Sequence, residues 1–301
     1  MTEDNFLAQL RQFPLHPGAH VLRDDTATIG GHVVTTDTLV EGVHFLATDA
    51  PEDVAWKLIA TNLSDLAAKG ALPAGILLNY PLGNDDWDAA FLAGLRTVLA
   101  TFDTPLLGGD TVTLPAGAPR ILTVTAFGND AAAPRRSGAR AGDALWVTGT
   151  IGDAGAGLAI ALGEPGPRAL LDRYHRPIPR LAEGRKLGPC VTAMMDVSDG
   201  LLIDARRMAD ASGLAVAVEL AALPLSSEYR AFRGADLAAH LAAATAGDDY
   251  ELLFALPDGE EPPVAALPVG VFSPGSGMSL TYRGHPVALP ASLGYQHRPL
   301  G

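Results

Sequence analysis

An apolar segment that stops at a group of aspartates constrains the fold of this chain more than any other feature. Val191–Met195 is apolar, Asp196, Ser198 and Asp199 follow directly, and apolar residues with helical spacing resume after Gly200. This order predicts a strand, a polar loop and a helix. A helix cap at Ser198 or Asp199 would explain one polar residue of the loop. It would not explain Asp196, whose carboxylate falls at the open end of the strand, where α/β folds hold their ligands.

The length and composition of the chain indicate two domains with enough apolar residues for buried sheets. Its 301 residues exceed what one compact core usually organises, and 48% of them are hydrophobic. The expected boundary is a connector rich in Pro, Ala and Arg at residues 131–142. We therefore expect an N-terminal domain over residues 1–137 and a C-terminal α/β domain over residues 138–301.

Cysteine content and the N-terminus indicate a cytoplasmic protein. The single cysteine, Cys190, excludes an intramolecular disulfide and most zinc and iron–sulfur sites. No apolar run reaches the roughly 18 residues of a membrane span, and the first residues lack the charged and apolar regions of a signal peptide. We expect no membrane partner.

The charge of the chain limits the partners that it can bind. The formal net charge is −13, so we expect no nucleic-acid-binding surface. Only three lysines occur, Lys57, Lys69 and Lys186, and none follows a glycine-rich loop, which excludes a P-loop. The segment Gly149–Gly155 resembles a dinucleotide-binding loop, but its glycine spacing differs from that pattern. Nucleotide chemistry would have to use divalent cations and arginine.

Two segments place polar residues where apolar residues are expected. His32–Val40 is rich in β-branched residues and predicts a strand, which Asp37 interrupts. Pro51–Lys69 predicts a helix in which Asp65 projects within roughly 20° of the apolar stripe, at about 100° per residue. Asn62 falls near the middle of the same stripe. Polar groups there lower stability unless they are paired or bind a ligand. We expect Asp65 to bind a ligand, the alternative being that Asn62 and Asp65 cap a neighbouring loop.

Glycines precede a further aspartate. The short strand Pro105–Leu107 is predicted to end in a turn at Gly108-Gly109-Asp110. The glycines would let the backbone approach a ligand, and the aspartate would hold a cation. An ordinary turn is the alternative. In the connector, Arg135 and Arg136 suit a phosphate clamp, because the guanidinium is a planar fork, or else serve solubility alone.

Each of six aspartates is predicted to lie at a strand end, in a turn or on a buried helix face. They are Asp25, Asp37, Asp65, Asp110, Asp196 and Asp199. Gathered in one cleft, these carboxylates would repel one another strongly unless cations were present. Oxygen ligands without histidine or cysteine select Mg²⁺ or a close relative such as Mn²⁺. Because Mg²⁺ is normally completed by substrate phosphates, the set predicts a nucleoside triphosphate substrate and phosphoryl transfer.

In their order, the motifs of the chain resemble those of thiamine-monophosphate kinases. The segments that carry the resemblance are Thr35–Phe45, Asn62–Ala68, Gly108–Thr111, Arg136–Gly138, Val147–Thr150, Asp196–Leu201 and Asp249–Leu252. The resemblance implies a two-domain α/β (α+β) fold of the aminoimidazole ribonucleotide synthetase-like superfamily, with N-terminal sheets that pair in a homodimer. It also implies several Mg²⁺ ions, ATP as co-substrate, and conversion of thiamine monophosphate to thiamine diphosphate.

Carried over position by position, the resemblance assigns residues to three roles. The implied magnesium ligands are Asp25, Thr35, Thr36, Asp37, Asp65, Asp110, Asp196 and Asp199. The implied ATP-binding residues are Gly109, Asp110, Arg136 and Ser198, and the implied thiamine-phosphate-binding residues are His44, Asp248 and Ser292. No general base is assigned, because a phosphate monoester with a second pKa of about 6 is already mostly ionised at neutral pH. Arg136 is expected to stabilise the transferred charge.

Three positions depart from the family pattern. Val21-Leu22-Arg23 stands where the family usually has Gly-x-Gly, Asp248 replaces a glutamate, and Ser292 replaces a tryptophan. Two alternatives stay open: a sibling ATP-dependent synthetase of the same superfamily, and a non-catalytic nucleotide- or thiamine-phosphate-binding protein. A selenophosphate synthetase would be expected to carry a reactive cysteine or selenocysteine near the N-terminus, and no cysteine lies there.

Overall fold

The computed structural model describes residues 1, 3–129 and 133–297, with the side chains of residues 3 and 4 left out, and contains two β-sheets with helices packed on them. The elements of the first sheet region are α1 (Glu3–Leu10), β1 (Ala27–Ile29), β2 (His32–Val40), α2 (Pro51–Ala68), β3 (Leu72–Leu82), α3 (Asp85–Thr101), β4 (Leu106–Thr113) and β5 (Ile121–Asn129). Those of the second are β6 (Ala144–Thr148), α4 (Asp153–Ala161), α5 (Arg168–His175), α6 (Leu181–Leu187), β7 (Ala193–Asp196), α7 (Leu201–Ser212), β8 (Leu214–Glu219), α8 (Ser227–Arg233), α9 (Leu237–Ala246), β9 (Leu252–Leu256), β10 (Ala266–Pro274), β11 (Gly277–Tyr282) and β12 (His285–Val287). The predicted mixed α/β class is confirmed.

The first sheet has the strand order β1-β2-β5-β3-β4, with only the β3–β4 pair parallel. Side chains along β5 alternate between the two faces, so Leu122, Val124 and Ala126 are buried while Ile121 is exposed. The buried face packs against α2 and α3 in one hydrophobic core. At the edge of the sheet, every residue of β4 is exposed.

The second sheet has the strand order β12-β11-β8-β10-β6-β9-β7, with only β8 and β11 parallel. One face forms a core with α7 and α9. On the other face, Met194 and Phe254 pack against Ala67 and Ala68 of α2 and Leu187 of α6. Helix α2 therefore packs against both sheets and joins the two halves.

The predicted elements that carry the candidate site are found with small changes of boundary. The predicted strand at His32–Val40 is β2, and the helix predicted from Pro51 is α2, which begins at that proline and ends one residue earlier than expected. The predicted order of strand, polar loop and helix is found as β7, the loop at 197–200 and α7, which begins at Leu201. Within the described residues, none of the helices is both long and apolar enough to cross a membrane.

The predicted turn at Gly108-Gly109-Asp110 is wrong, because these residues continue β4. The glycine at 109 has a different reason from the one expected. A Cβ there would lie 1.8 Å from the carbonyl oxygen of Leu78 on β3, and the φ angle is +152°. The close approach of the two strands, rather than a ligand, accounts for this glycine.

Candidate active site

Three carboxylates converge where the two halves of the chain meet. Asp25 lies in the loop before β1, Asp65 on α2 and Asp196 at the end of β7. One carboxylate oxygen of each lies within 4.8 Å of the others. Residues 40 and 131 positions apart along the chain thus face one small volume, which we call the acidic cluster (Asp25, Asp65 and Asp196). Its all-oxygen composition suits a hard divalent cation such as Mg²⁺.

Hydroxyl groups orient two members of the acidic cluster. Thr35 Oγ1 donates a hydrogen bond to Asp65 Oδ2, and the buried Ser64 Oγ donates to Asp196 Oδ2 at 2.5 Å. Thr36 was expected to assist as well, but its Oγ1 donates to the carbonyl of Val124 at 3.0 Å. Because successive strand residues face opposite sides of a sheet, only one of the two threonines can face the cluster.

Asp37 lies beside the cluster, on the same strand as Thr35. Its backbone N–H donates to Asn62 Oδ1 at 3.1 Å, and Asn62 Nδ2 donates to the carbonyl of Leu58 at 2.9 Å. The polar residue in the apolar stripe of α2 therefore fixes the strand that carries Asp37. Burial, followed by repulsion from Asp25 and Asp199, raises the pKa of Asp37 to about 6.

The pKa values of the three carboxyl groups in the acidic cluster shift in different directions: those of Asp65 and Asp196 are raised and that of Asp25 is lowered. Burial, followed by the nearby Asp25 carboxylate, raises the pKa of Asp196 to about 8. Burial, followed by Asp37 and Asp196, also raises the pKa of Asp65 well above its usual range. For Asp25, burial acts in the same direction, but Arg136 and Lys69 outweigh it and lower the pKa to about 2. A site with this much repulsion favours bound cations.

Two cationic side chains flank Asp25. The guanidinium of Arg136 donates through Nη2 to Asp25 Oδ1, and Lys69 Nζ lies 3.2 Å from Asp25 Oδ2. Among the described residues, the buried Nε of Arg136 has no hydrogen-bond partner. A buried donor without a partner favours binding of an anion, and a phosphate oxygen would satisfy it.

The loop after β7 is held by a residue that the sequence analysis did not single out. The buried carboxylate of Asp204 accepts hydrogen bonds from the backbone N–H groups of Ser198 and Asp199, at 3.2 and 3.1 Å. Arg207 Nη1 contacts Asp199 Oδ2 at 2.5 Å and Asp204 Oδ1 at 2.9 Å. Helix α7 begins after Gly200, without a side-chain cap, so the alternative of a cap by Ser198 or Asp199 is wrong.

The structure does not bring Asp110 into the acidic cluster. Asp110 is exposed on the edge strand β4, next to Gly109. In the strand order, β5 and β3 separate β4 from the strand β2 that carries Asp37. Three steps of about 4.8 Å put roughly 14 Å between these two strands. Within one chain, Gly109 and Asp110 therefore lie too far from the acidic cluster to share its cation.

A second group of residues lies beside the cluster and contains two of the three implied thiamine-phosphate contacts. Lys57 Nζ donates to Asp248 Oδ2 at 2.7 Å and to the carbonyl of His44 at 3.0 Å. Tyr250 Oη donates to the other oxygen of Asp248 at 3.0 Å. Among the described residues, the exposed Ser292 side chain bonds with Gly294 alone: Oγ donates to the carbonyl at 2.6 Å and accepts from the backbone N–H at 3.5 Å. The structure does not join Ser292 to this group.

The surroundings of His44 favour the neutral form of its ring. Burial, followed by the nearby His297 ring, lowers the pKa of His44. Its Nδ1 accepts a hydrogen bond from the backbone N–H of Val40 at 3.0 Å, and its ring centroid lies 5.5 Å from that of His297. A neutral ring with one nitrogen in use can present an aromatic face and one polar atom to a ligand.

The glycine-containing loop before α4 is occupied by a side chain of the same protein. Both carboxylate oxygens of Asp249 accept from the backbone N–H of Gly152, at 3.0 and 2.9 Å. The helix N-terminus that could otherwise attract a phosphate is therefore already occupied by a carboxyl group. This agrees with the low weight that the glycine spacing gave to a dinucleotide-binding loop.

Although Val21-Leu22-Arg23 lacks the glycines of the family pattern, part of the segment keeps a backbone conformation that favours glycine. His20, Val21 and Leu22 have φ angles of +48°, +57° and +52°, in the left-handed region that favours glycine. Arg11 donates to the carbonyls of Val21 and Leu22 at 3.2 and 3.0 Å. The segment before Asp25 is thus held in a strained conformation by a neighbouring guanidinium.

Comparison with protein families matches both halves of the chain to one family. Residues 21–129 match the N-terminal domain of AIR synthase related proteins, and residues 140–289 match the C-terminal domain. The thiamine-monophosphate kinase of Caulobacter vibrioides is 40% identical over 266 residues, which cover 81% of this chain and 74% of that protein.

Solved structures lead to the same family. The structure of AaThiL complexed with AMPPCP and TMP matches with a TM-score of 0.87 at 30% identity, over 99% of this chain and 97% of that one. Thiamine-monophosphate kinase from Stenotrophomonas maltophilia K279a matches with a TM-score of 0.76 at 34% identity, over 89% and 95% of the two chains.

Proposed function

Since this chain belongs to the thiamine-monophosphate kinase family, we propose that its acidic cluster and Arg136 position ATP for transfer of the γ-phosphoryl group to thiamine monophosphate. The reaction is the ATP-dependent phosphorylation of thiamine monophosphate, which gives thiamine diphosphate and ADP. The attacking atom is an oxygen of the acceptor's own phosphate, which is largely ionised at neutral pH and requires no general base. Catalysis then depends mostly on positioning and on charge stabilisation.

The observation that carries this proposal is the convergence of carboxylates beside an arginine with a free donor. Asp25, Asp65 and Asp196 offer oxygens within 4.8 Å of one another, and the buried Nε of Arg136 lacks a partner among the described residues. Carboxylates alone would repel a triphosphate, so the arrangement requires cations.

We propose that several Mg²⁺ ions supply that charge. Asp25, Asp65 and Asp196 would hold one ion, and Asp37, Asp199 and the Thr35 hydroxyl would extend the site. The all-oxygen donor set and the raised pKa values of Asp37 and Asp196 support this assignment. When bound, Mg²⁺ would neutralise phosphate charge. Arg136 Nε would donate to a phosphate oxygen, and the Ser198 loop, fixed by Asp204, would lie against the nucleotide.

On the acceptor side, we propose that Asp248 and His44 bind thiamine monophosphate. Lys57 fixes both residues at once, which supports a common role. Thiamine carries a cationic ring and an amine, and the partly exposed carboxylate of Asp248 complements both. The tail that contains Ser292 reaches the same region, because Tyr295 N–H donates to the carbonyl of Asp199 at 2.9 Å.

We further propose a homodimer formed through the first sheet. The edge strand β4 is exposed throughout, and Leu106, Leu107 and Val112 present apolar side chains there. A role for Gly109 and Asp110 in ATP or metal binding would then require that a second copy bring β4 to the acidic cluster. The proposed division of the chain at residues 137 and 138 lies between the end of β5 and the start of β6. We also propose a cytoplasmic location, which the exposed free thiol of Cys190 supports.

Release of ADP tests the proposed function. With Mg²⁺ and ATP, purified protein should release ADP only when thiamine monophosphate is added, in an amount equal to the thiamine diphosphate formed. Binding of ATP without acceptor-dependent turnover would favour the non-catalytic alternative. Turnover with a different acceptor alone would favour a sibling synthetase.

A further inference from the structure

A lysine is buried at the edge of the acidic cluster, at the C-terminal end of α2. The Lys69 side chain is 1% exposed, and its ammonium group contacts three oxygen atoms. These are Asp24 Oδ1 at 2.5 Å, Asp25 Oδ2 at 3.2 Å and the backbone carbonyl oxygen of Met194 at 3.3 Å. Burial of an ammonium group is unfavourable, so contacts of this quality are needed to keep it there.

The three contacts come from two separate parts of the fold. Asp24 and Asp25 lie in the loop before β1, whereas Met194 belongs to β7, two residues before Asp196. Lys69 itself follows α2, which carries Asp65. The ammonium group therefore ties together the three segments that supply the acidic cluster.

The surroundings of Lys69 differ from those of the other buried lysine. Lys57 contacts one carboxylate, one carbonyl and the face of the Tyr174 ring, whose centroid lies 4.1 Å from Nζ. Its partners therefore include an aromatic ring as well as oxygen atoms. Lys69 has two carboxylates and one carbonyl, a set of oxygens that a hard divalent cation would also accept. With Arg136 on the other oxygen of Asp25, two positive side chains face the two carboxylates of Asp24 and Asp25.

We propose that the ammonium group of Lys69 takes the place of a divalent cation between Asp24 and Asp25. In this position it holds Asp25 next to the other two members of the acidic cluster before metal binds. Lys69 is a positioning residue, because it acts through Asp25. Asp24 is thereby committed to the lysine and does not bind metal. The inference rests on the proposed role of the cluster in metal binding.

Thermal unfolding of the full-length protein in EDTA and in Mn²⁺ tests this inference without measuring turnover. Lys69→Met keeps an unbranched side chain that is one atom shorter and removes the ammonium group. In EDTA the variant should unfold on the order of 5 to 10 °C below the parent protein, because two buried carboxylates lose their shared partner. Added Mn²⁺ should raise its unfolding temperature by about twice as much as it raises that of the parent, because the ion replaces the missing charge.

Lys57→Met is the matched control, since it removes a buried ammonium outside the cluster. It should lower the unfolding temperature without increasing the effect of Mn²⁺. Should Lys69→Met not fold, the double variant Asp24→Asn/Lys69→Met, which removes one uncompensated carboxylate, should recover a folded protein.

Equal Mn²⁺-induced shifts in Lys69→Met and the parent would overturn the proposal, as would a double variant no more stable than Lys69→Met. If the parent protein has no kinase activity, the proposed function is overturned, but the Mn²⁺-induced shifts and the stability of the double variant still test the role of Lys69. The two ideas can therefore fail separately.

Discussion

Lys57 and Asp248 form an ion pair across the two halves of the chain, with 2.7 Å between Nζ and Oδ2. The lysine is 3% exposed, whereas the aspartate keeps 35% of its side chain exposed. The buried partner therefore fixes one oxygen of the carboxylate and leaves part of the group accessible to a ligand. Asp248 adopts this position with a φ angle of +63°, so the pair also holds a strained backbone.

We expect Lys57→Met to raise the apparent KM for thiamine monophosphate by about 10-fold to 100-fold, the effect of losing a charged hydrogen bond. The KM for ATP should change little, because its proposed contacts lie at Arg136 and the Ser198 loop. Steady-state kinetics with each substrate varied in turn measures both values. Tyr250→Phe, which removes the neutral hydrogen bond to Asp248, should have a smaller effect. An unchanged KM for the acceptor would contradict the assignment.

Asp199→Asn should lower kcat by at least about 100-fold, because it removes a proposed metal ligand while keeping the shape of the side chain. The fold should be unaffected, since Asp204 rather than Asp199 holds the loop. Kinetics and thermal unfolding together measure this. Asp210→Asn, at the exposed C-terminal end of α7 and paired, within the described part of the chain, with Arg206 alone, is the control and should retain full activity. Full activity in Asp199→Asn would remove that residue from the metal set.

Val21→Gly should increase the free energy of unfolding by about 1 kcal/mol. Val21 is β-branched, 58% exposed and held at a φ angle of +57°, so the change relieves strain and removes few contacts. Chemical denaturation measures the difference. Val43→Gly, at an exposed valine outside the left-handed region, should instead lower stability. A loss of stability in both variants would argue against strain at Val21.

Asp249→Asn should stabilise the protein more at pH 8 than at pH 5. Burial, followed by repulsion from Asp153 and Glu251, raises the pKa of Asp249 well above its usual range despite the hydrogen bond from Gly152. Because the folded-state pKa is raised, the stability contributed by this carboxyl is present at low pH and lost as the pH rises through that value. The amide removes the ionisation and keeps an acceptor for Gly152. We expect a rise of about 2 to 4 °C in the unfolding temperature at pH 8. An equal shift at both pH values would contradict this explanation.

Leu106→Asp should convert a homodimer to a monomer, because it places a charge in the centre of the proposed interface on β4. Sedimentation velocity measures the change in mass. Leu162→Asp, at a leucine that is 68% exposed on the second half, is the control and should leave the assembly unchanged. A parent protein that sediments as a monomer at all concentrations would remove the proposed pairing.

Local patterns in the sequence were sufficient to predict the position of Asp65. Helical periodicity placed this residue on the apolar face of α2, and the structure places its carboxylate in the acidic cluster. Alternation along β2 likewise means that only one of Thr35 and Thr36 can face the cluster, but the sequence does not say which of the two does. That choice depends on the packing of the sheet against α2 and α3.

Residues that act through tertiary contacts were not predicted. Lys57 and Lys69 were regarded only as lysines without a glycine-rich loop, because neither belongs to a motif. The position of a long flexible side chain depends on which carboxylates the fold brings near its Cα. The same limit explains Gly109: its small size suggested a turn, whereas the constraint is the carbonyl of Leu78 on the adjacent strand.

Helix α2 belongs to the core of the first half, packs against the second sheet through Ala67 and Ala68, and also supplies Asp65 and Ser64 to the acidic site. Melting this one helix would expose apolar surface on either side and dissolve the cleft at the same time. The chain should therefore lose its structure in a single cooperative step, with no intermediate in which one half survives. Separately expressed halves, cut at the connector, would each keep the core of their own sheet but would expose the apolar surface at which α2 meets β7 and β9.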